Sequence, residues 1–312
     1  MNPRPKSLSI LIPTHNRVAL LRQTLQSLME LSIPDGVEVD LIICANACTD
    51  NTILEIASDI ERLPFAVHCI EEPVPGLSVA RNRLLKEARG EILAFLDDDI
   101  WVSRGWIGAM WDVLENYPAD IVGGKVELWW RDVTRPKWLS RRSEHMLSCV
   151  DHGDQICELF SAGQVAGANL ALRRSTLAGT PGFRTDLGRR ERALLAGEDT
   201  YFVAQSLKAG HRLFYAPHAS VLHWVAPGRI TLEYLGCAAE GIGTTKVLML
   251  PSVSTSNYLR LGVENRIKFV IYRTLEWFCF LLGYQKGRVN QHIRRMMSHG
   301  VLLGLKHRRP SP

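Results

Sequence analysis

The 312-residue chain has seven cysteines and no paired spacing among them that reads as a metal site or a disulfide framework. An odd number scattered through an α/β pattern fits reduced cytosolic thiols. No apolar leader with a cleavage site precedes the first strand-like run. Met1 to Lys6 leads straight into it, so the catalytic part is expected in the cytoplasm. No run is long enough to span a bilayer: Phe269 to Gly283 is rich in Phe, Trp, Leu and Ile but is too short and contains Arg273 and Glu276. Internal repeats are absent, and low complexity is confined to the frayed end from Arg308 to Pro312. At this length the chain is one large domain or a domain with an appendix.

What is there begins at residues 92 to 100, where the apolar run Ile-Leu-Ala-Phe-Leu stops at Asp97, Asp98 and Asp99. The run reads as a buried parallel strand, and a strand ending in acids puts them at the carboxyl edge of a sheet, where open α/β folds bind ligands. Three adjacent carboxylates repel one another unless a cation offsets them. Oxygen ligands favour Mg²⁺ or Mn²⁺, with positions left open for substrate phosphates. The pattern points to a metal-assisted site for a phosphorylated substrate; a solvated acidic turn is the plainer alternative.

The N-terminal half repeats one unit. Leu8 to Ile12 is strand-like, Pro13 to Arg17 breaks it, and Val18, Leu21, Leu25 and Leu28 recur at helical spacing. Val37 to Cys44 reads as a second strand, Asn46 to Thr52 as a polar turn, and Ile53, Ile56 and Ile60 as one face of a short helix. Phe65 to Ile70 is a third strand, and Leu77 to Ala88 a helix leading through Gly90 into the Asp97 strand. Strands alternating with helices predict a doubly wound, mostly parallel sheet, with the three polar turns after Ile12, Cys44 and Leu96 on one edge. Thr14 and Asn46, short polar side chains in two of those turns, become nucleotide-contact candidates, with simple turn closure as the alternative.

The segments LSILIPTHNR (8 to 17), CANACTDNT (44 to 52), GLSVARN (76 to 82), FLDDD (95 to 99), GANLALRR (167 to 174), GEDT (197 to 200) and VLH (221 to 223) together resemble, in order, the motifs of family 2 glycosyltransferases. The resemblance covers about residues 7 to 225. It implies a GT-A fold: a Rossmann-like, mostly parallel sheet with helices on both faces. It also implies a nucleotide-diphospho-sugar donor held through Mg²⁺ or Mn²⁺ at an acid-x-acid motif, and a carboxylate that deprotonates an acceptor hydroxyl. On that basis Asp97 and Asp99 match the acid-x-acid positions, with Asp99 the direct metal ligand and Asp97 facing ribose or a metal-bound water. Pro13, Thr14, Asn46, Arg81, Asp97 and Asp98 are assigned to the nucleotide side. Arginine suits phosphate because its fork gives two parallel bonds; a surface helix charge is the alternative for Arg81. Many members of the family carry an Asp where this chain has Ala45, which leaves the base specificity open, and Cys48 replaces a usual Ser.

In the second half, Ala166 to Asn169 is small, as expected where backbone passes close to a bound sugar. Glu198 and Asp199 open a helix that closes at Gly210; acids in a first turn also suit the helix dipole. The resemblance assigns Asp199 as catalytic base of an inverting transfer and Glu198 as its support. It also ranks His223 above His218 as a metal or diphosphate neighbour, against a purely structural histidine. Trp129, Trp130 and Trp138, interleaved with Arg131, Arg135 and Lys137, either stack on an acceptor sugar or pack on the domain.

Charge is unevenly placed. From Arg260 onward eleven Lys or Arg meet two Glu, a balance of +9, which leaves −4 on the rest of a chain whose net charge is +5. A basic, aromatic-rich tail suits an anionic membrane surface, against a pair of terminal helices packed on the domain. Basicity alone is weak support for nucleic acid. The expected organisation is a GT-A domain over 1–228, split at 100 into nucleotide-binding and acceptor halves, and a helical, basic extension over 229–312. The expected activity is metal-dependent, inverting sugar transfer to a hydroxyl of a glycan or lipid-linked acceptor, in the cytoplasm or peripherally on the inner membrane face. A nucleotidyltransferase lacks support in the absence of a glycine-rich, basic triphosphate loop after the first strand. A non-catalytic scaffold is favoured only by Ala45.

Overall fold

The computed structural model describes residues 6–188, 195–250, 252 and 254–308. It divides into two compact units. The first takes in the chain up to Trp129, Ser148–Asp186 and Glu198–Trp224, and the second the described parts of Trp130–Leu147, Leu187–Gly197 and the chain from Val225 on. The second unit thus draws on two segments earlier than residue 228. The last four residues of the tail expected to fray lie outside the described residues.

In the first unit, the apolar runs form strands where the spacing predicts them: β1 (Ser7–Thr14), β2 (Glu38–Asn46), β3 (Ala66–Glu72) and β4 (Ile92–Leu96). They pair in parallel in the order β3-β2-β1-β4. Between them run α1 (Val18–Leu28), two single-turn helices α2 (Thr52–Glu55) and α3 (Ala57–Ile60), and α4 (Leu77–Glu87). The single helix expected around Ile53 to Ile60 is therefore broken at Ile56, which is fully buried under the sheet.

The remaining strands are β5 (Ile100–Val102), β6 (Ile121–Trp129), β7 (Cys157–Leu159), β8 (Asn169–Arg173) and β9 (Leu213–Trp224). Helices α5 (Trp106–Asn116) and α6 (Glu198–Lys208) lie among them. β8 enters antiparallel beside β4, so the sheet is parallel through its first four strands and mixed beyond them. β9 is longer than the strand-like Ser220 to Leu222 suggests, because it pairs with β6, β5 and β7 along its length.

Alternate side chains of each strand enter opposite layers. Leu8, Ile10 and Ile12 pack with Leu21 and Leu25 of α1 and Trp106 of α5, whereas Leu11, Ile42 and Phe95 pack with Leu84 of α4 and Phe202 of α6. Both faces of the sheet are therefore covered, as continuous apolar strands require. Among the fully buried polar side chains, Asn169 accepts from Trp106 Nε1 at 2.8 Å and donates to the carbonyls of Lys125 and Ala219. Every polar atom of that amide is satisfied, which is what burial demands.

In the second unit, α7 (Leu232–Leu248), α8 (Thr255–Leu281) and α9 (Gln285–Lys306) form a bundle in which α9 packs on both others. Gly300 lies so near the Glu240 carbonyl that any side chain there would collide with it. No described helix is long and apolar enough to cross a membrane.

Candidate active site

β4 ends at Leu96 and the chain resumes as β5 at Ile100, so Asp97, Asp98 and Asp99 occupy a kink between two strands. Thr24 of α1 holds that kink: its Oγ1 lies 3.0 and 2.9 Å from the carbonyl oxygens of Asp98 and Ile100, and it accepts from the Ile100 amide at 3.2 Å. Alternation along the kink sends the three carboxylates to different places. Asp97 is partly open, with its side chain 27% exposed, while Asp98 and Asp99 are buried.

β5 folds back onto β9 with Ile100 opposite His223, and the Trp224 amide donates to the Asp99 carbonyl at 2.9 Å. This register sets His223 Nε2 3.4 Å from Asp99 Oδ1. One ligand atom from each of Asp97, Asp99 and His223 lies within 4.8 Å of the others. His218, five residues earlier on the same strand, is exposed. Two carboxylate oxygens and one imidazole nitrogen make a donor set that Mn²⁺ or Mg²⁺ can use, and the half-open Asp97 side leaves room for ligands from a substrate.

Asp98 is not one of that trio; it accepts from Thr14 Oγ1 at 2.7 Å and from Arg17 Nη1 at 3.3 Å. Burial, then the neighbouring Asp99, push its carboxyl up to about 7 against the pull of Arg17 and Thr14. Arg17 also reaches Asp99 Oδ2 at 3.2 Å and keeps its side chain 41% exposed. It is a residue the sequence reading left without a role, although it closes the PTHNR turn.

Asn46 spends its side chain on the chain that follows β3. Its Nδ2 donates to the carbonyls of Glu72 and Val74, and its Oδ1 accepts from the Gly76 amide at 2.8 Å. Its own carbonyl lies 2.6 Å from His15 Nδ1, which ties the first and second turns together. Pro13 is buried within β1, and Ala45 is buried beside Asn46 at the end of β2.

Arg81 is the hub. It is 2% exposed, donates through Nη1 to Glu198 Oε1 at 2.8 Å and through Nη2 to Asp97 Oδ1 at 3.3 Å, and lies over the rings of Phe183 and Phe95. Burial alone would pull its pKa down; Glu198 and Asp97 outweigh it and hold the guanidinium charged. The surface-charge alternative for Arg81 is thereby excluded. Gly167 is small for the same reason, since a Cβ there would stand 2.6 Å from Arg81 Nη2. The close approach seen at this glycine is to Arg81.

Asp199, in the first turn of α6, is partly exposed; its Oδ2 accepts from the Gly167 amide at 2.8 Å and its Oδ1 from the Thr200 amide at 2.6 Å. Arg81 thus links the acid-x-acid kink to the helix that carries Asp199. Trp129 lies at the end of β6 with its ring edge-on to Trp101 at 5.9 Å, and Trp130 and Trp138 are half-buried.

Glycosyl transferase family 2 matches residues 9–178, more than half of the chain. The succinoglycan biosynthesis protein ExoM of Rhizobium meliloti (strain 1021) is 27% identical over 215 residues, 69% of this chain and 66% of that protein, just under two thirds of its length. The glucosyl-dolichyl phosphate glucuronosyltransferase of Haloferax volcanii is 23% identical over 77% of this chain and 76% of its own. Among solved structures, the mannosyltransferase PcManGT from Pyrobaculum calidifontis, in complex with GDP-Man and Mn²⁺, superposes with a TM-score of 0.64 at 18% identity, covering 98% of this chain and 89% of that one. The match of the family over residues 9–178, on a sheet and helices with the GT-A arrangement, shows that this chain belongs to glycosyl transferase family 2.

Proposed function

We propose that the protein is a metal-dependent, inverting transferase that moves a hexose from a nucleotide-diphospho-sugar donor to a hydroxyl of a glycan or lipid-linked acceptor, at the inner face of a membrane. The observation that carries this reading is the convergence of Asp97, Asp99 and His223 within 4.8 Å, beside a buried Arg81. The GDP-Man and Mn²⁺ held by the structural relative support the same donor chemistry.

Asp99 and His223 would hold Mg²⁺ or Mn²⁺, with Asp97 as third ligand or as partner of a bound water. When bound, the cation offsets the charge that builds on the departing diphosphate. The chain's own residues do the rest. Arg17 and Arg81 flank the acids with fixed positive charge, which suits donor phosphates. Thr14, with Asp98 behind it, and the turn that Asn46 stitches to Gly76 form the nucleotide edge, with Pro13 setting the exit from β1. Asp199 acts as general base: its carboxylate, fixed by two backbone amides, takes the proton of the acceptor hydroxyl as that oxygen attacks the anomeric carbon. Glu198 positions Arg81, and through it the Asp97 carboxylate.

Incubation with a panel of nucleotide sugars and Mn²⁺ tests the reading. Release of nucleoside diphosphate that stops on chelation is expected. Release of pyrophosphate would assign nucleotidyl transfer instead, and donor binding with no turnover in any acceptor pool would leave a scaffold.

A further inference from the structure

Helix α8 has two apolar faces, and the bundle uses one of them. The inward face, with Leu261, Asn265, Phe269 and Tyr272 at three- and four-residue spacing, is at least half-buried in the second unit. The outward face carries Val263, Ile267, Val270, Trp277, Phe278 and Leu281, each between 51 and 61% exposed. At 100° per residue these six fall within about a third of the helix circumference. An exposed apolar band of this length, about 27 Å from Val263 to Leu281 at 1.5 Å per residue, exceeds the scattered apolar residues that a water-facing helix tolerates.

The unpaired charges around the band are basic. Arg266 and Arg273 line one border, and Arg260 and Lys286 stand near its two ends; all four are exposed. The two acids of this region are already engaged: Glu264 with Lys268 at 2.5 Å, and Glu276 with Arg295 at 2.8 Å and His292 at 3.0 Å. The surface offered outward is therefore apolar, with a cationic border at Arg266 and Arg273 and a self-neutralised pair, Glu264 and Lys268, on the other side, and Trp277 and Tyr284 supply the amphipathic rings that favour a lipid–water boundary.

We infer that α8 lies in the plane of an anionic bilayer, with the Val263-to-Leu281 band in the acyl boundary and Arg266 and Arg273 at the headgroups. A second copy of the chain fits less well. The band is wider than a two-residue helix seam, because Ile271 and Leu282 extend it. Two copies would also bring Arg266 and Arg273 together with no free acid to answer them. Crossing the bilayer is excluded by the charges within α8 and by its hydropathy. This inference deepens the proposed membrane-side location and rests on that reading for the acceptor alone; lipid docking stands on α8 itself.

Not every cation of this region faces outward. Arg295 is spent on Glu276, and Arg294 lies over the Tyr272 ring at 5.8 Å, so both serve the packing of α9 on α8. Reversing them would test the bundle, whereas Arg266 and Arg273 test the surface.

The experiment is co-sedimentation of the full chain with vesicles of phosphatidylcholine containing phosphatidylglycerol, against pure phosphatidylcholine. The parent is expected to bind the anionic vesicles and to be released by salt. Arg266→Glu with Arg273→Glu should weaken binding ~10-fold or more, from the worth of each basic residue near an anionic surface. Val270→Glu with Phe278→Glu, two exposed positions whose change leaves the core intact, should abolish it. Brominated lipid should quench parent fluorescence, and Trp277→Phe should lose that quenching. Donor hydrolysis in lipid-free solution is measured on the same samples and should be unchanged, which separates failure of docking from failure of the transferase reading. Absence of vesicle binding by the parent overturns the inference, as does a dimer in solution that Val270→Glu with Phe278→Glu converts to monomer.

Discussion

Arg81 and Glu198 stand 117 residues apart in the chain and 2.8 Å apart in the fold, both buried. Their ion pair joins α4, which follows the third strand, to the first turn of α6, which carries Asp199. A buried pair contributes little net stability when both charges are present, because desolvation offsets attraction. Losing one partner is different. Glu198→Gln should lower the unfolding free energy by about 3 kcal/mol, since Arg81 keeps its charge after losing its strongest acidic partner, with Asp97 and Asp199 left to answer it. Urea unfolding of parent and variant measures this; a change within ~0.5 kcal/mol would mean that the site reorganises at little cost.

Gly167→Ala should act on the same hub from the other side. A Cβ placed 2.6 Å from Arg81 Nη2 forces the guanidinium to move, and overpacking of this kind costs about 1 to 3 kcal/mol. Because Arg81 is held between Glu198 and Asp97, donor affinity should fall as well. Calorimetric titration with donor and Mn²⁺ is the check, and parental affinity would remove Arg81 from the nucleotide side.

The carboxylates of the kink should separate by role. Asp99→Asn and His223→Phe should each weaken Mn²⁺ binding, followed by the loss of free Mn²⁺ signal in electron paramagnetic resonance, while the fold is retained. Asp97→Asn should be milder, because its side chain is the open one of the three. Equal Mn²⁺ affinity in parent and Asp99→Asn would reject the site.

Asp199→Asn separates binding from chemistry. Donor and metal affinity should stay near parental values while transfer falls roughly 10²- to 10⁴-fold, the usual worth of a positioned base. Single-turnover transfer alongside donor titration reads both quantities. Near-parental transfer would assign the proton to another group.

The thiols offer a test of the packing. Burial first, and Glu72 second, push Cys44 up to about 12, so at pH 8 its thiolate fraction is on the order of 10⁻⁴. Cys237 is exposed. Alkylation of the native protein at pH 8, read by peptide mass spectrometry, should modify Cys237 in minutes and spare Cys44 until the protein is unfolded; early modification of Cys44 would show that β2 opens readily.

Sequence by itself determined the strand-turn-helix succession of the first hundred residues, because strand periodicity, turn formers and helical spacing are local properties that neighbouring residues satisfy among themselves. The acids after Leu96 and the small residues at 166 to 169 were legible for the same reason, whereas the arginine in GLSVARN was legible only through the family resemblance. Boundaries shifted where pairing decided them: β9 runs to Trp224 because three strands bond to it, and the helix expected through Ile56 broke where that side chain turned into the core. The reason for Gly167 lay in a side chain 86 positions earlier. Only the tertiary structure brought His223 to Asp99, through the antiparallel register of Ile100 against a strand more than 120 residues away, and only it turned Arg17 onto Asp98 and Asp99. It also decided that α8 keeps a second apolar face outward, since helical spacing marks a side as apolar without saying whether anything packs on it. Contacts at such separations depend on register and on which faces meet, and those are properties of the assembled sheet and bundle.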